Sequence, residues 1–464
     1  MREVVSRGLV FTAFSISIAR FYSCCVGSSQ VDVPNIPDIA KRFGTKGRYE
    51  EVNPYLLADI LAVNKTVLKP PPGCDAVHLT VIIRHGTRFP TKKNVIKMHN
   101  IYNLVMAEAK SNAGWLHEIK SKWQMWYKEE MDGRIVEKGR DDHKHLAVRL
   151  ATAFPSLFSE GNLRGNRIKF ITSSKHRCVD SIVAFQEGLQ RLWDVRDVDF
   201  SHEVNDNLMR FFDHCRKFIE DVENNESALK EVDLFKSSAE MKLVQEKMAD
   251  RLQVPQSHIT PDMAEAAFFL CAYELAIKSE NSAWCNLFDE SDAQVLEYKN
   301  DLKQYWKRGY GYDINRKSSC TLFHDIFTRL NQAANEIRSG DVTEPVAVQV
   351  GHAETLLPLL SLMNLFKVET PLTAANFAEQ HDRTFLTSRM VPYAANLAFV
   401  LYSCSEGPRL QLVLNERPLA FPGISDPVPL FRDVKEQYGE LLSGCDFDKE
   451  CELPPSNCSK CSEL

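Results

Sequence analysis

The sequence lacks several features that define other classes of protein. It has no excess of positive charge, because 62 acidic residues outnumber 56 lysines and arginines among its 464 residues, which argues against general nucleic-acid binding. Beyond the N-terminus it has no apolar run long enough to span a bilayer. It also lacks a hydrophobic C-terminal tail of the kind that precedes a glycolipid anchor, and a second ligand pair that would make Cys458 and Cys461 a zinc site. Any polyanionic ligand must therefore be met by a local basic patch.

The N-terminus has the pattern of a secretory signal. Arg2 and Arg7 form a basic start, residues 9–19 form an apolar segment, and residues 25–27 form a small-residue cleavage site. We predict a signal peptide over residues 1–27, with a short membrane anchor as the alternative. Removal of the signal would leave a protein without stable insertion in a membrane.

Cysteine usage agrees with export. The chain has 13 cysteines, and in an oxidising compartment most of those beyond the signal should pair. Their spacing favours local bridges, Cys271–Cys285 and Cys445–Cys451. The triplets that begin at Asn64 and Asn225 are sequons for N-glycosylation. We predict a glycoprotein of the secretory pathway, either secreted or held in the lumen of the endoplasmic reticulum or another endomembrane compartment.

A basic stretch without acidic residues follows the first predicted strand. Residues 77–83 are apolar and mostly β-branched, which predicts a buried strand, and no Asp or Glu occurs from 77 to 106. Reactive groups of open α/β sheets lie at the carboxyl ends of strands, and arginine forks bind phosphate oxygens in pairs. We therefore predict a phosphate site at Arg84, His85 and Arg88. The alternative is a solvated loop.

Two later predicted strands also end in polar turns. Residues 167–172 predict a strand that leads to Arg177, which we expect to be a third phosphate ligand. Residues 346–350 predict another strand, and His352 and Glu354 just beyond it fit phosphate contact and acid–base work. A carboxylate in the first turn of a helix is also favourable in itself, so a helix cap remains the alternative for Glu354.

The remaining pattern is mostly helical. Residues 205–338 contain no strand-like run and predict a helical insertion or small domain that caps the sheet, whereas 396–404 and 409–414 predict a hairpin. The run Asp141–His145 holds two aspartates and two histidines. A solvated helix start is favoured there over a metal site, because alternate histidines diverge on a helix.

Four stretches resemble one family in the order in which they occur. They are RHGTRFP at 84–90, TSSKHRCVDS at 172–181, GHAET at 351–355 and SRMVPYAANLAFVLY at 388–402. The family is that of the histidine acid phosphatases, and the match covers essentially the whole chain beyond the signal. Most members have His-Asp in the third stretch. His-Ala-Glu, with FFDHC at 211–215, resembles the phytase-like multiple inositol polyphosphate phosphatase branch.

The resemblance implies an α/β fold, with a mixed sheet flanked by helices and a smaller all-helical domain built from insertions. The α/β domain would come from residues 28–100, 161–204 and 339–464, the last of these including a Cys-rich tail. The helical domain would come from residues 101–160 and 205–338. The active site would lie between the two domains.

The resemblance also implies a mechanism. His85 would be the nucleophile and Glu354 the proton donor, and the phosphoryl group would be held by Arg84, Arg88, Arg177 and His352. The implied reaction is hydrolysis of inositol polyphosphates, including inositol hexakisphosphate, through a phosphohistidine, without a cofactor or a metal. The alternatives are a broad-specificity secreted acid phosphatase, a phosphoglycerate-mutase-like phosphotransferase, and an inactive homologue that only binds phosphorylated ligands.

A surplus of basic residues lies beside the predicted site. Its members are Lys92, Lys93, Lys175 and His176. A single phosphate does not need them, whereas an inositol ring with several phosphates would use them. The alternative is a solvated basic face. The expected partner is thus a small polyanion, and the oligomeric state stays open.

Two further implications concern the cysteines and the C-terminus. The resemblance implies Cys74–Cys404, and a bridge from Cys215 to a C-terminal cysteine, beside the two local bridges. The cysteines left free would be Cys178 and Cys320. The chain ends in Ser-Glu-Leu, which keeps only part of a Lys-Asp-Glu-Leu retention signal and favours secretion or a lumen without strong retention.

Overall fold

A central sheet carries the predicted strand ends. The computed structural model describes residues 36–64, 68–195 and 197–453. Its strands are β1 Asp75–Arg84, β2 Ile168–Thr172, β3 Glu203–Val204, β4 Val346–Gly351, β5 Asn396–Ser403, β6 Arg409–Leu414 and β7 Arg417–Leu419. In space these seven strands follow the order β3-β2-β4-β1-β5-β6-β7.

Helices surround the sheet and fill the long segments between strands. They are α1 Lys92–Glu108, α2 Gly114–Ser121, α3 Glu137–Ala153, α4 Glu160–Arg164, α5 His176–Trp193, α6 Asp206–Met209, α7 Arg216–Phe218, α8 Lys230–Lys236, α9 Ala239–Leu252, α10 Pro261–Lys278, α11 Glu290–Arg308, α12 Asp313–Lys317, α13 Cys320–Glu336, α14 Ala353–Leu362, α15 Thr387–Met390, α16 Phe431–Gln437, α17 Gly439–Gly444 and α18 Phe447–Cys451. Every element within residues 205–338 is helical, as predicted.

The sheet is mixed, which confirms the predicted fold class. β1 pairs with β4 in parallel and with β5 in antiparallel orientation, and β5 and β6 form the predicted hairpin. β2 and β4 are also parallel, with Thr172 opposite Val350, while Arg84 lies opposite Gly351. The carboxyl ends of three strands therefore meet at one edge, where the three predicted motifs begin.

Side chains of β1 alternate between two apolar cores. Leu79, Val81 and Ile83 pack with α3 and α5 on one face, and Ile82 packs on the other face into a core that continues through the helices of residues 205–338. The described residues from 36 to 453 belong to one compact unit, and its division into an α/β and a helical domain at the predicted boundaries stays a prediction. β3 and β7 were not predicted, because two or three residues carry too little periodicity.

The disulfides correct one predicted pair. Among the described residues the bridges are Cys74–Cys404, Cys215–Cys451, Cys271–Cys285 and Cys320–Cys445. The first and third confirm the prediction, and Cys215 does reach a cysteine near the C-terminus. The predicted pair Cys445–Cys451 is wrong, and so is a free Cys320. The turn of α18 separates Cys445 from Cys451, so that each meets a different helical segment. Cys178 is free, as predicted.

Two sequence features lie at the surface, and others lie outside the described residues. Asn64 and Asn225 are exposed, as glycosylation acceptors must be. The predicted signal peptide and the cysteines of the last eleven residues fall outside the described part of the chain. Within that part, no helix combines the length and the apolar character needed to cross a bilayer.

Candidate active site

The histidine that follows β1 is neutral and oriented. His85 is buried, and its Nδ1 lies 2.9 Å from the carbonyl oxygen of Gly86. Because a carbonyl oxygen can only accept, Nδ1 carries the proton and Nε2 keeps its lone pair. Burial first, and then the charges of three nearby guanidiniums, hold the pKa of His85 well below its ordinary value. The imidazole therefore has the protonation state that a nucleophile requires.

Those three guanidiniums have buried donors without an acceptor. They belong to Arg84, Arg88 and Arg177. In each of them the Nε atom is buried and donates to no acceptor among the described residues. A buried donor left unsatisfied costs roughly 1–3 kcal/mol. Three such donors around one histidine indicate a cradle that is completed by an anion.

In Arg84 and Arg88, the Nη1 atom is hydrogen-bonded to backbone carbonyl oxygens of the protein. Arg84 donates from Nη1 to the carbonyl oxygens of Thr45 at 2.8 Å and Val391 at 2.5 Å, and it stacks on the ring of Tyr393. Arg88 donates from Nη1 to its neighbour, the carbonyl oxygen of Phe89, at 2.7 Å. These bonds orient the forks in advance, which reduces the entropy lost on binding.

His352 lies beside His85 as a second neutral imidazole. The two ring centroids are 5.7 Å apart. Arg177 donates from Nη2 to Nδ1 of His352 at 3.4 Å, so that Nε2 carries the proton and donates to Oγ of Ser173 at 2.9 Å. Burial and the charge of Arg177 lower the pKa of His352 to about 3. The free protein thus has no cationic histidine at this position.

Glu354 is held in the first turn of α14. Burial alone would raise the pKa of its carboxyl, but the positive charges of Arg308 and Arg84 and a backbone hydrogen bond oppose it and lower the pKa below its ordinary value. The free protein therefore holds a carboxylate here. Arg308 belongs to α11, is nearly buried, and has an Nη1 atom without an acceptor among the described residues. Sequence reasoning missed Arg308, because an arginine at a helix end gave no distinguishing signal.

The first turns of α3 fix the loop that carries His85. Asp142 Oδ2 accepts from the backbone N of Thr87 at 3.1 Å and from its Oγ1 at 2.7 Å. Lys138 forms an ion pair with Asp142 and donates to Glu50 Oε1 at 2.7 Å. Gly86 and Gly139 lie so close that a Cβ on Gly86 would overlap the Gly139 carbonyl.

The prediction of a solvated helix start at Asp141–His145 is therefore wrong. Asp142 and His143 are both buried, because this end of α3 packs against the loop after β1. A signal was available in the sequence. Asp142 precedes Leu146 by four residues and Leu150 by eight, which places it on the apolar face of the helix.

The predicted substrate residues lie at the starts of two helices. Lys92 and Lys93 are exposed in the first turn of α1, and Lys175 and His176 are exposed at the start of α5. Lys92 pairs with Glu129 at 2.8 Å. Contact between these four residues and a substrate stays a prediction.

Two other features of the site were not foreseen or remain open. Lys46, in the 3-10 turn Gly44–Lys46, shares its electrostatic surroundings with Arg84 and Arg88 and was missed, because the loop-rich sequence around it carries no periodicity. Within residues 36–64, 68–195 and 197–453, no three His, Cys, Asp or Glu side chains are grouped as metal ligands would be.

The fold and the site together define a class of protein, an α/β protein that surrounds a strand-end histidine with a cradle for a phosphoryl group. A profile of the histidine phosphatase superfamily (branch 2) matches residues 77–415. Multiple inositol polyphosphate phosphatase 1 of Homo sapiens is 46% identical over 446 residues, which cover 91% of each chain. The protein of the same name in Gallus gallus is 45% identical over 430 residues, which cover 91% of this chain and 95% of that one.

Solved structures agree on the fold. The phytase from D. castellii has a TM-score of 0.72 at 18% identity and covers 89% of this chain and 87% of its own. The multiple inositol polyphosphate phosphatase of Bifidobacterium longum, in complex with inositol hexasulfate, has a TM-score of 0.64 at 14% identity and covers 82% and 93%. The chain belongs to the histidine phosphatase superfamily, branch 2, and to its multiple inositol polyphosphate phosphatases. The predicted family and the predicted type of enzyme are thereby confirmed.

Proposed function

We propose that the protein hydrolyses phosphate monoesters of inositol polyphosphates, including inositol hexakisphosphate, through a phosphohistidine. The observation that carries this proposal is the neutral His85 among three guanidiniums whose buried Nε donors lack acceptors in the described part of the chain. The relatives in Homo sapiens and Gallus gallus are named for the same substrate class at 46% and 45% identity.

The cradle would bind the phosphoryl group to be transferred. Arg84, Arg88 and Arg177 would donate to its oxygens, and His352 would face the group from the side of α14. The three guanidiniums neutralise the dianion that otherwise repels a nucleophile, which lowers the barrier most when the donors are oriented in advance.

His85 would then attack in line. The Nε2 lone pair forms a bond to phosphorus while the bond from phosphorus to the inositol oxygen breaks. The products of this step are a phosphohistidine and an alkoxide, which needs a proton to leave as an alcohol.

Glu354 would supply that proton, although it is a carboxylate in the free protein. A phosphate monoester keeps one proton below its second pKa of about 6, so the substrate can bring the proton into the site. Its negative charge also cancels the charges that lower the pKa of Glu354. After the alcohol leaves, the Glu354 carboxylate takes a proton from water, whose oxygen attacks phosphorus. Phosphate is released and His85 returns to its neutral state.

The compartment and the finer substrate preference belong to the same proposal. Four disulfides among the described residues support an oxidising environment, and we place the glycosylated protein in the secretory pathway, secreted or lumenal. The exposed Lys92, Lys93, Lys175 and His176 would contact substrate phosphates that are not transferred.

The test is phosphate release from inositol hexakisphosphate by the purified protein in EDTA. Release, with radioactive phosphate trapped on His85 in a quenched reaction, is the expected result. Equal efficiency on simple monoesters would identify a broad-specificity phosphatase instead. Exchange between phosphoglycerates without net release would identify a transferase, and binding without turnover an inactive homologue.

A further inference from the structure

Both residues that flank Lys46 in the 3-10 turn Gly44–Lys46 and just after it are hydrogen-bonded to the candidate site. The carbonyl oxygen of Thr45 accepts from Nη1 of Arg84 at 2.8 Å. On the other side of Lys46, the carbonyl oxygen of Gly47 accepts from the backbone N of Tyr393 at 3.0 Å. Lys46 is therefore held in a fixed position relative to the cradle, although the sequence places it about forty residues away from the first motif.

The start of the turn tolerates only glycine. Gly44 has a φ of +53°, and a Cβ there would overlap the side-chain amide of Asn300 on α11. The turn thus lies between Arg84 at the end of β1 and Asn300 on α11, and it contacts both. A side chain fixed from both sides loses little further freedom when it binds a ligand.

The ammonium of Lys46 has no carboxylate partner among the described residues. Nζ donates to Oγ1 of Thr45 at 2.8 Å and lies 5.3 Å from the centroid of the Phe269 ring. Other lysines close to the core differ in this respect, since Lys138 pairs with Glu50 and Lys299 with Glu265 at 2.7 Å each. A half-buried ammonium without a counter-ion is an anion site that the protein itself does not fill.

The surroundings of this ammonium are mostly positive. Burial, followed by the charges of Arg88, Arg84 and Lys303, lowers its pKa well below the ordinary value, and Glu354 acts in the opposite direction. An incoming anion would relieve this repulsion. The same physical situation holds for the unpaired Nε donors of the cradle.

The transferred phosphoryl group does not need Lys46. The three guanidiniums supply three positive charges, which already exceed the two negative charges that the phosphoryl group and Glu354 carry together when they share one proton. A fourth cation, fixed beside them, has a use only if the ligand carries more negative charge than one phosphoryl group.

We infer that Lys46 is a specificity-determining residue that binds a second phosphate group of the substrate, one that is not being transferred. This inference rests on the proposed function and goes beyond it by assigning part of the polyanion specificity to the N-terminal 3-10 turn. The four motifs would provide the chemistry, and a residue outside them would select substrates with neighbouring phosphates.

The test compares two substrates that both have an inositol oxygen as the leaving atom but differ in the number of phosphates. Lys46→Met keeps the length of the side chain and its packing on Phe269 but removes the charge. We expect kcat/KM for inositol hexakisphosphate to fall about 10- to 100-fold, and at least ten times more than kcat/KM for an inositol monophosphate, mainly through KM. Lys46→Arg should recover most of the loss. The control is Lys41→Met, because Lys41 lies in the same segment, is exposed and pairs with Glu290.

Equal losses on the two substrates would overturn the inference and assign Lys46 to the transferred phosphoryl group. Unchanged kinetics on both would leave it as a packing residue. A thermal unfolding midpoint that matches the wild type excludes misfolding as the cause of any loss.

A binding measurement separates this inference from the proposed function. Calorimetric titration with inositol hexakissulfate, which carries several anionic groups, should show weaker binding to Lys46→Met than to the wild type, and inorganic phosphate should bind both alike. If the wild type hydrolyses no phosphate ester, the proposed function fails while the titration still decides the role of Lys46. Equal affinity of both proteins for the hexakissulfate would reject that role.

Discussion

The imidazole of His143 donates a hydrogen bond from Nε2 to the backbone carbonyl oxygen of Arg84, across 3.0 Å. Burial lowers the pKa of His143 to about 4, so the ring remains neutral and this bond persists over the ordinary pH range. The donor is on α3 and the acceptor directly precedes His85. Together with the bonds from Thr87 to Asp142, this contact holds the loop that carries His85 against α3.

Asp142→Asn should impair both stability and rate. The substitution leaves Lys138 without one of its two carboxylate partners and weakens the grip on Thr87. We expect the free energy of unfolding to fall by on the order of 3 kcal/mol. We also expect kcat/KM to fall about 10- to 100-fold, because the loop that carries His85 loses its precise position. Urea unfolding and steady-state kinetics measure the two effects.

Asp141→Asn is the matched control for this variant. Asp141 is adjacent, partly exposed, and paired only loosely with Lys144 at 3.5 Å. It should change stability by less than about 1 kcal/mol and leave the rate as in the wild type. If both variants behave alike, α3 does not position the loop.

His85→Ala should abolish turnover and leave the fold intact, because it removes the proposed nucleophile, and both ring nitrogens of the neighbouring His352 are already engaged by Ser173 and Arg177. The expected loss exceeds the 10²–10⁴-fold typical of a single acid–base group. Phosphate release and trapping of the radioactive phosphoprotein measure it, and His117→Ala on the exposed face of α2 is the control. Turnover within about tenfold of the wild type would remove His85 from the mechanism.

Glu354→Gln should discriminate between leaving groups. An inositol alkoxide needs a proton as it leaves, whereas p-nitrophenolate does not. We expect inositol phosphate hydrolysis to slow by about 10²-fold or more, and p-nitrophenyl phosphate to be hydrolysed within roughly tenfold of the wild-type rate.

Other outcomes for Glu354→Gln assign it other roles. Equal slowing of both substrates points to positioning of the phosphate. A carboxylate that only stabilises the first turn of α14 would cost a few tenths to about 1 kcal/mol of stability and little rate.

The grouping of the three strand-end motifs at one edge could be predicted because their sequence signals are local. The end of β1 at Arg84 is marked in the sequence by an abrupt change from apolar to basic residues. The strands that precede Arg177 and His352 likewise end in a change from apolar to polar residues. Parallel pairing of the strands then brings these ends together. What stayed hidden depends on contacts between distant segments. Nothing near Lys46 shows that Arg84 will bind the carbonyl of the preceding residue.

The disulfides illustrate the same limit. Cys271–Cys285 closes a short loop and could be predicted from spacing alone. Cys445 and Cys451 are even closer in sequence, yet each pairs with a residue of the helical segment instead. The pairing depends on how α17 and α18 dock, which no local pattern encodes. Asp142 is different, since its helical spacing from Leu146 is a local signal that places it on the buried face of α3.

Acid should destabilise the protein through its buried neutral histidines, and His78 isolates the effect away from the site. Burial lowers the pKa of His78 to about 4, from about 6.5 in an unfolded chain. Between these values the unfolded state binds more protons than the folded state, so stability is lost as the pH falls from 6.5 to 4. The contribution is about 3 kcal/mol.

His78→Gln tests this linkage through the pH dependence of the free energy of unfolding, and not through its value at one pH. We expect the free energy of unfolding of the wild type to fall between pH 7 and pH 4 by about 3 kcal/mol more than that of the variant. Parallel curves from urea unfolding would show that His78 does not titrate on unfolding.

Peptide mapping of the non-reduced protein should find Cys320 linked to Cys445 and Cys215 linked to Cys451. A Cys445–Cys451 peptide would contradict the structure. Replacing Cys320 and Cys445 together by alanine should cost about 2–5 kcal/mol of stability, because the bridge closes a loop that spans 125 residues of sequence. Chemical unfolding of the double variant against the wild type measures the loss.

The central position of β1 in the sheet has a consequence for biosynthesis. Both of its neighbours, β4 and β5, are encoded roughly 260 or more residues downstream. At about 5–20 residues per second, the ribosome completes β1 tens of seconds before either partner emerges. During that interval β1, with its apolar residues 79–83, has no backbone partner on either side. Translation therefore leaves the apolar side chains and backbone of β1 exposed to aggregation until the last third of the chain has been made, and the edge that carries His85 is incomplete until then.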